Sequence, residues 1–289
     1  MRTAGVDVGS LTGKVVVLED NHIVSWSLIP TGPDSAETAR EAMDVALQKA
    51  SLTLDKLEFI VSTGYGRVVV PFSQRNVTEI SCHARGANWF FPGVRTILDM
   101  GGQDCKAIRC DATGKVVNFA MNDKCAAGAG RSMEVMADLL QIPLADMGSL
   151  SLQTVNGEVP VSSTCTVFAK SEVLAHLRQG APRNDILAGV CAALTTRVYG
   201  LLKRVGIEPE FVISGGIGKN IGVVTRVEQK IGLKANICFE PQIVGAVGGA
   251  IFAREMLAKQ QKWCSNACKV RAYQQRHRSS PREPGPRPP

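Results

Sequence analysis

The sequence lacks any long uninterrupted hydrophobic run. Of its 289 residues, 45% are hydrophobic and 20% are charged, which is typical of a globular protein long enough for about two domains. The longest weakly interrupted apolar stretch, residues 243–253, is well short of the roughly 20 residues that a membrane-spanning helix needs. The N-terminal residues reach Asp7 and Gly9 before the apolar segment of a secretory signal can form. The sequence therefore predicts a cytoplasmic protein with no membrane partner.

Outside its C-terminal tail the chain carries little net charge. The formal net charge is +7, but residues 261–289 contain seven basic residues and only one acid. The Pro-rich end predicts that residues 261–289 form a disordered basic tail, with a weak electrostatic tether as the functional alternative. No folded basic face is implied, so no nucleic-acid partner is expected. Cys264 and Cys268 in this tail have a metal-like spacing, but two ligands alone do not make a metal site.

Two common nucleotide-binding motifs are missing. No GxxxxGK[ST] sequence occurs, which excludes a P-loop, and no GxGxxG opens a helix after the first strand. The glycines are concentrated instead in turns that follow short β-like runs. Any nucleotide site must therefore be built from these turns.

A three-strand unit occurs twice. Residues 3–29 have the pattern of strand, turn, strand, turn and strand, and residues 96–121 repeat it. Asp7 and Gly9 in the first unit align with Asp99 and Gly101 in the second. The repeat predicts two similar lobes whose acidic, glycine-containing hairpins face a shared cleft.

Helical patterns alternate with these strands and predict an α/β fold. Apolar residues recur at helical spacing over residues 35–50, 130–142, 167–177 and 185–205, and residues 211–214 have the pattern of a buried strand. We expect residues 1–93, completed by a C-terminal helix over 244–260, to form the first lobe. Residues 94–243 are expected to form the second lobe.

The paired hairpins suit a nucleoside triphosphate and its metal ion. Asp7 and Asp99 would repel phosphate but would hold Mg2+ through its waters, and Gln103 or Asp104 could orient an attacking water. The small residues would let backbone N–H groups approach phosphate oxygens, Lys14 would add a positive charge, and the turn after the strand over 211–214 would pass beneath the purine and ribose. The candidate nucleotide-binding residues are Gly9, Ser10, Thr12, Lys14, Gly101, Gly102, Gly215, Gly216, Gly218 and Asn220.

Two of the nine cysteines precede helices. Cys125 lies just before the glycine-rich helix start that contains Gly128 and Gly130, two further candidate cofactor-binding residues, and Cys165 lies just before the next helix. A helix N-terminus favours thiolate over thiol, so these two cysteines are candidate metal ligands. Two thiolates do not complete a four-cysteine iron–sulfur site, but two from each of two subunits would hold one 4Fe-4S cluster.

The three glycine turns resemble the phosphate and adenosine motifs of the acetate kinase, sugar kinase, actin and Hsp70 superfamily of ATPases. This resemblance implies duplicated actin/Hsp70-like ATPase lobes with a nucleotide cleft between them. The segments over residues 62–67, 79–84, 122–131 and 162–172 resemble a narrower group, the iron–sulfur activator ATPases of 2-hydroxyacyl-CoA dehydratases and the ATPase subunits of benzoyl-CoA reductase. The resemblance covers residues 3–257. Leu11 departs from it, because a small hydroxylated residue is common at that position.

The resemblance to the activators implies a function and a set of partners. Cys125 and Cys165 would bind a cluster shared across a dimer, and ATP hydrolysis would drive an electron onto an acyl-CoA dehydratase or reductase. Ferredoxin or flavodoxin would supply that electron. The dimer would contain two copies of this chain, or this chain and a paralogous ATPase subunit.

Two other functions remain open from the sequence. A small-molecule kinase, such as one acting on an amino sugar, would share the nucleotide motifs without needing Cys125 and Cys165. A nucleotide-switched binding protein of the Hsp70 kind is the other alternative. Both predict a protein without a cluster. His83 is interpreted as a packing or hinge residue. The loop around Tyr65 is interpreted either as a flexible loop or, as the resemblance implies, as a nucleotide or partner contact.

Overall fold

The fold consists of two five-stranded mixed sheets in a computed structural model that describes residues 1–122 and 129–278. The strands of the first sheet are β1 (Arg2–Val8), β2 (Thr12–Glu19), β3 (His22–Pro30), β4 (Phe59–Thr63) and β5 (Arg75–Asn76). Those of the second are β6 (Thr96–Met100), β7 (Cys105–Cys110), β8 (Val116–Met121), β9 (Phe211–Ser214) and β10 (Ala235–Asn236). The sheet orders are β3-β2-β1-β4-β5 and β8-β7-β6-β9-β10.

The two sheets have the same topology. In each sheet the first three strands form an antiparallel meander, and the first strand pairs in parallel with the fourth. The parallel pairs place Asp7 beside Thr63 and Asp99 beside Ser214. This equivalence confirms the predicted α/β fold with duplicated lobes.

Eight α-helices surround the sheets in the described part of the chain. They are α1 (Ser35–Ala50), α2 (Glu79–Phe90), α3 (Gly130–Leu140), α4 (Met147–Leu150), α5 (Thr166–Arg178), α6 (Arg183–Val205), α7 (Ile221–Ile231) and α8 (Val244–Arg278). The α1 bounds equal those predicted from the sequence. Asp34 caps α1 by accepting hydrogen bonds from the N–H groups of Ala36 and Glu37, which satisfies two otherwise unpaired donors.

Each sheet has its own hydrophobic core. One face of the first sheet packs on α1, whereas the second sheet packs on α3, α6 and α7 in the larger core. Helix α6 is long and apolar enough to cross a membrane by length and composition, but 67% of its most apolar window is buried inside the molecule. No other helix in the described ranges meets that test. Burial of this kind is typical of a core helix.

Helix α8 covers the opposite face of the first sheet at very short range. Thr3 Oγ1 donates a hydrogen bond to the carbonyl of Ala250 at 3.1 Å. A Cβ on Gly5 of β1 would lie 1.9 Å from the carbonyl oxygen of Ala246, and one on Gly248 would lie 1.8 Å from that of Cys82 in α2. Only glycine permits this approach, so α8 is seated on the backbones of both β1 and α2.

The last helix extends beyond the point where the sequence predicts the start of a disordered tail. Helix α8 continues past residue 261 to Arg278, because the chain contains no proline between Pro241 and Pro281 to interrupt the helix. The remaining tail, residues 279–289, lies outside the described part of the chain. The side chains of Cys264 and Cys268 are likewise not described.

Candidate functional site

A cleft of about 510 Å³ lies between the two sheets. Both acidic hairpins line it, together with the turn after β4, the turn after β9 and the start of α3. The predicted site residues that line the cleft are Asp7, Gly9, Ser10, Thr12, Lys14, Asp99, Gly101, Gly102, Asp104, Gly130, Gly215, Gly216 and Asn220. The duplicated hairpins therefore do face one shared cavity.

The two hairpins have the same local geometry. The N–H of Gly9 donates to the carbonyl of Thr12 at 3.0 Å, and the N–H of Gly101 donates to that of Asp104 at 2.9 Å. Lys14 Nζ lies 3.2 Å from Asp7 Oδ2 in the first hairpin. In each hairpin a buried aspartate is thus followed by a tight turn that begins at a glycine.

Lys106 is the second-hairpin equivalent of Lys14, although it is absent from the residues predicted from the sequence. Its Nζ lies 2.8 Å from Asp104 Oδ1 and 3.7 Å from Asp99 Oδ2, and its side chain is only 5% exposed. Burial alone would lower the pKa of Lys106, but the charges of Asp99 and Asp104 outweigh burial and raise it. The sequence does contain a signal for Lys106, because this lysine follows Asp99 by the same interval as Lys14 follows Asp7.

His83 lies between the two catalytic candidates Asp7 and Asp99. Its Nδ1 is 3.2 Å from Asp99 Oδ1, and Ser214 Oγ donates to the same carboxylate oxygen at 2.9 Å. A Cβ on Gly245 would lie 2.9 Å from His83 Nε2 and 3.0 Å from Asp7 Oδ2. His83 is thus packed, as interpreted from the sequence, but against the acidic floor of the cleft, where it holds the Asp99 side chain.

Glycines in the left-handed region follow β4 and β9 at equivalent positions. Gly64 has φ +82° and Gly215 has φ +83°. A Cβ on Gly64 would lie 2.5 Å from both Asp7 Oδ1 and the carbonyl oxygen of Val8, and one on Gly215 would lie 2.3 Å from that of Met100. Both turns therefore need glycine for conformation and for space.

The turn after β9 forms one wall of the cleft. Gly216 and Asn220 line the wall, and Asn220 also caps α7 by accepting from the N–H of Val223 at 3.1 Å. Lys219, absent from the predicted set, donates to Glu240 at 2.8 Å and to Gln242 at 2.9 Å. Gly218 does not line the cleft, because it packs against Ile213 and Pro241. Apolar side chains that suit a purine face also line the cleft, namely Met133, Leu144, Ala145 and Ile217.

The two candidate water-orienting residues differ in position. Gln103 is exposed and does not line the cleft, whereas Asp104 is buried and lines it. Burial alone would raise the pKa of Asp104, but Lys106 and a hydrogen bond from Tyr65 together hold it below the ordinary value. Asp104 is therefore a carboxylate within the cleft, which suits a group that accepts a hydrogen bond from water.

Cys165 lies away from the cleft, at the N-cap of α5, and is partly exposed. Arg197 of α6 donates to the carbonyl oxygens of Ser163 and Thr164 in the preceding loop. The N–H of Ser162 donates to Glu172 Oε2 at 2.5 Å. The cysteine is therefore presented at a helix N-terminus by a loop anchored to two helices. Cys125 and Gly128, the other predicted residues of this region, lie outside the described residues.

The donor atoms suit the expected groups. Asp7 and Asp99 are 4% and 3% exposed at the cleft floor, and each has a lysine neighbour, so they fit Mg2+ held through its waters better than direct ligation. A partly exposed thiol at a helix N-terminus fits a cluster ligand. Within the described ranges no group of three or more His, Cys, Asp and Glu side chains could hold a metal ion.

Relatives of known role match nearly the whole chain. The chain is 43% identical over 260 residues to the activator of lactoyl-CoA dehydratase from Anaerotignum propionicum, a match that spans 90% of this chain and 100% of that protein. It is 39% identical over 267 residues to the 2-hydroxyisocaproyl-CoA dehydratase activator from Clostridioides difficile, spanning 92% of this chain and 100% of the relative. A benzoyl-CoA reductase subunit from Thauera aromatica is 32% identical over 271 residues, 89% of this chain and 95% of the relative.

Solved structures that resemble this chain include an activator and a sugar kinase. The activator of the 2-hydroxyisocaproyl-CoA dehydratase from Clostridium difficile with bound ADPNP superposes with a TM-score of 0.86 and 39% identity, covering 91% of this chain and 97% of that one. A ROK family glucokinase from Streptomyces griseus has a TM-score of 0.55 at 15% identity, covering 88% of this chain and 100% of that one. The glucokinase shares only the fold.

A family model matches residues 4–253, a range that includes both hairpins, the cleft and Cys165. Its extent agrees with the full-length relatives and with the shared fold of the solved activator. The chain belongs to the BadF/BadG/BcrA/BcrD ATPase family.

Proposed function

We propose that this ATPase activates a 2-hydroxyacyl-CoA dehydratase by using ATP hydrolysis to deliver one low-potential electron to it. The observation that carries the proposal is a pair of hydrogen bonds between the second hairpin of the nucleotide cleft and the start of α3. The N–H groups of Gly130 and Arg131, the first residues of α3, donate to the carbonyls of Gly101 and Gly102 at 2.9 and 2.8 Å. Cys125 lies just upstream of these residues in the sequence.

Different residues of the cleft would bind different parts of ATP and its metal ion. Backbone N–H groups in the hairpin turns, with Lys14, would bind the phosphates, and the turn with Gly215 and Gly216 would bind the adenosine. Asp7 and Asp99 would hold Mg2+ through its waters, which would offset the charge of the phosphates. Asp104 would orient the attacking water.

Cys125 and Cys165 would bind the redox group together with two corresponding cysteines of a second subunit. A 4Fe-4S cluster at that position would supply a one-electron carrier. Arg197 holds the loop before Cys165 and so helps to fix the position of this residue at the start of α5. The dimer is proposed to be two copies of this chain, or this chain with a paralogous ATPase subunit.

Coupling between the two sites follows from the hydrogen bonds at the start of α3. A phosphate bound to the Gly101–Gly102 turn would fix the turn, and the turn would then fix the first residues of α3. Any movement of the hairpin on hydrolysis would therefore be transmitted to the start of α3, which follows Cys125 closely in the sequence.

The partner assignment follows the more similar relatives. The two activators are 39% and 43% identical to this chain, whereas the benzoyl-CoA reductase subunit is 32% identical. A ferredoxin or flavodoxin is proposed as donor, and the cytoplasm as location. A small-molecule kinase is not proposed, because the glucokinase likeness is at the level of fold alone.

The test is anaerobic purification with iron and sulfide assays, followed by an activation assay. The protein, with dithionite and ATP, is added to a purified 2-hydroxyacyl-CoA dehydratase. We expect about four irons per dimer, a brown absorption that bleaches on reduction, and ATP-dependent dehydration. Cys165→Ala should lose the iron but keep nucleotide affinity, with Cys110→Ala as the matched control. A colourless protein that still hydrolyses ATP after iron–sulfur reconstitution would contradict the proposal.

A further inference from the structure

Tyr65 connects the two lobes across the mouth of the cleft. It lies in the turn after β4 of the first sheet, and its hydroxyl donates to Asp104 Oδ2 in the hairpin of the second sheet at 2.5 Å. The ring lines the cleft and is 48% exposed. The hydrogen bond therefore exists only while the two lobes are this close.

The turn that carries Tyr65 is itself fixed to the first lobe. The N–H of Gly66 donates to the carbonyl of Val8 at 3.0 Å. Arg67 Nη1 donates to the carbonyl of Gly64 at 2.9 Å and lies 3.1 Å from Glu79 Oε2 at the start of α2. The backbone of the turn that carries Tyr65 therefore moves with β1 of the first lobe.

Asp104 has each of its carboxylate oxygens held from a different direction. Lys106 of the same hairpin donates to Oδ1 at 2.8 Å, and Tyr65 of the opposite lobe donates to Oδ2. Lys106 alone leaves the carboxylate free to turn about its Cβ–Cγ bond. The Tyr65 hydroxyl removes this freedom, because two donors on two oxygens define the plane of the carboxylate.

A second contact joins the first lobe to the same hairpin. A Cβ placed on Gly102 would lie 2.6 Å from Cγ of Leu11, so the Leu11 side chain covers Gly102. The tip of the second hairpin is therefore contacted by the first lobe at two points, one apolar and one polar.

We propose that Tyr65 is a positioning residue that orients Asp104 for hydrolysis only when the lobes are closed. The proposal rests on the proposed function in one respect, namely that Asp104 orients the attacking water. Opening the cleft withdraws the hydroxyl and leaves the carboxylate misaligned. Hydrolysis is thereby confined to the closed state, in which the nucleotide is enclosed.

The test is Tyr65→Phe, which removes one hydroxyl from a half-exposed ring. We expect kcat for ATP hydrolysis to fall by about tenfold or more, since the lost hydrogen bond is to a charged group. KM for ATP and Kd for ADP should stay within about twofold of wild type. Tyr199→Phe is the matched control, because Tyr199 lies on α6 beneath Lys203 and Lys230, and it should retain full activity.

A double-mutant cycle separates positioning from a general structural effect. Asp104→Asn should lower kcat by itself, and adding Tyr65→Phe in that background should lower it little further. Full kcat in Tyr65→Phe, a loss confined to KM, or fully additive losses would each overturn the inference. Wild-type hydrolysis without dehydratase activation would instead contradict the proposed function and leave the Tyr65 comparison valid. Absence of any hydrolysis by the wild type would overturn both.

Discussion

Lys106 donates to Asp104 at 2.8 Å from a side chain that is almost fully buried. The same ammonium lies 3.7 Å from Asp99, so one cation neutralises two carboxylates at the floor of the second hairpin. Lys14, the equivalent lysine of the first hairpin, pairs with the single carboxylate of Asp7.

We expect Lys106→Met to destabilise the protein by about 3–5 kcal/mol, because it leaves two buried carboxylates without their cation. The free energy of unfolding from urea denaturation measures this loss. Lys234→Met is the control, since Lys234 is 91% exposed beside Glu228, and an exposed pair contributes only about 0–1 kcal/mol. Equal losses of unfolding free energy in the two variants would contradict the role of Lys106 as the cation that stabilises Asp99 and Asp104.

Gly64→Ala should abolish most ATPase activity. The new Cβ would meet Asp7 Oδ1 and the Val8 carbonyl at 2.5 Å in a backbone conformation with φ +82°, so Asp7 must move. Gly157→Ala is the matched control, because Gly157 has φ +98° but no atom within 4 Å of its Cβ position. Steady-state hydrolysis assays should show a loss of at least about tenfold in the first variant and near-normal kcat in the second.

Arg197→Ala should make the proposed iron–sulfur centre labile. Without the guanidinium, the carbonyls of Ser163 and Thr164 lose their donors, and the loop before Cys165 is no longer anchored to α6. Iron content after anaerobic gel filtration should fall below that of the exposed-residue control Arg204→Ala, with nucleotide affinity unchanged in both. Identical iron content in the two variants would show that the loop holds Cys165 without Arg197.

Alkylation should distinguish Cys165 from the other described cysteines. Burial raises the pKa of Cys82 to about 12 and those of Cys110 and Cys238 to about 11. A raised pKa keeps a thiol neutral until the pH approaches that value, so these three should react slowly at pH 8. Mass spectrometry of protein prepared without iron, after a brief iodoacetamide pulse, should find Cys165 labelled ahead of them. Rapid labelling of Cys238 would contradict this expectation, and labelling after unfolding provides the control.

The sequence is sufficient to predict the hairpins and their aspartates, because short-range patterns encode them. Asp7 and Asp99 follow from the repeated strand pattern, and the bounds of α1 from helical periodicity. The links between distant segments were not predicted, since no local pattern encodes the pairing of Tyr65 with Asp104 or of Lys219 with Glu240. Lys106 is different, since applying the repeat beyond its glycines would have revealed it. Gln103 and Gly218 adjoin residues that line the cleft, but Gln103 is exposed and a Cβ on Gly218 would face Ile213 and Pro241.

The backbone-to-backbone seating of α8 on β1 and α2 restricts where this molecule can bend. At the Ala246 and Cys82 carbonyls there is no room for even one added carbon atom, so sliding along this seam would require the layers to separate. Because α2 also packs against the second sheet through Ala84 and Ala87, this seam joins the two lobes and prevents them from sliding past each other. Rotation of the lobes must be taken up by the chain crossings outside the seam, between β5 and α2 and between β10 and α8, which makes these two short segments the places where hydrogen–deuterium exchange should respond to nucleotide.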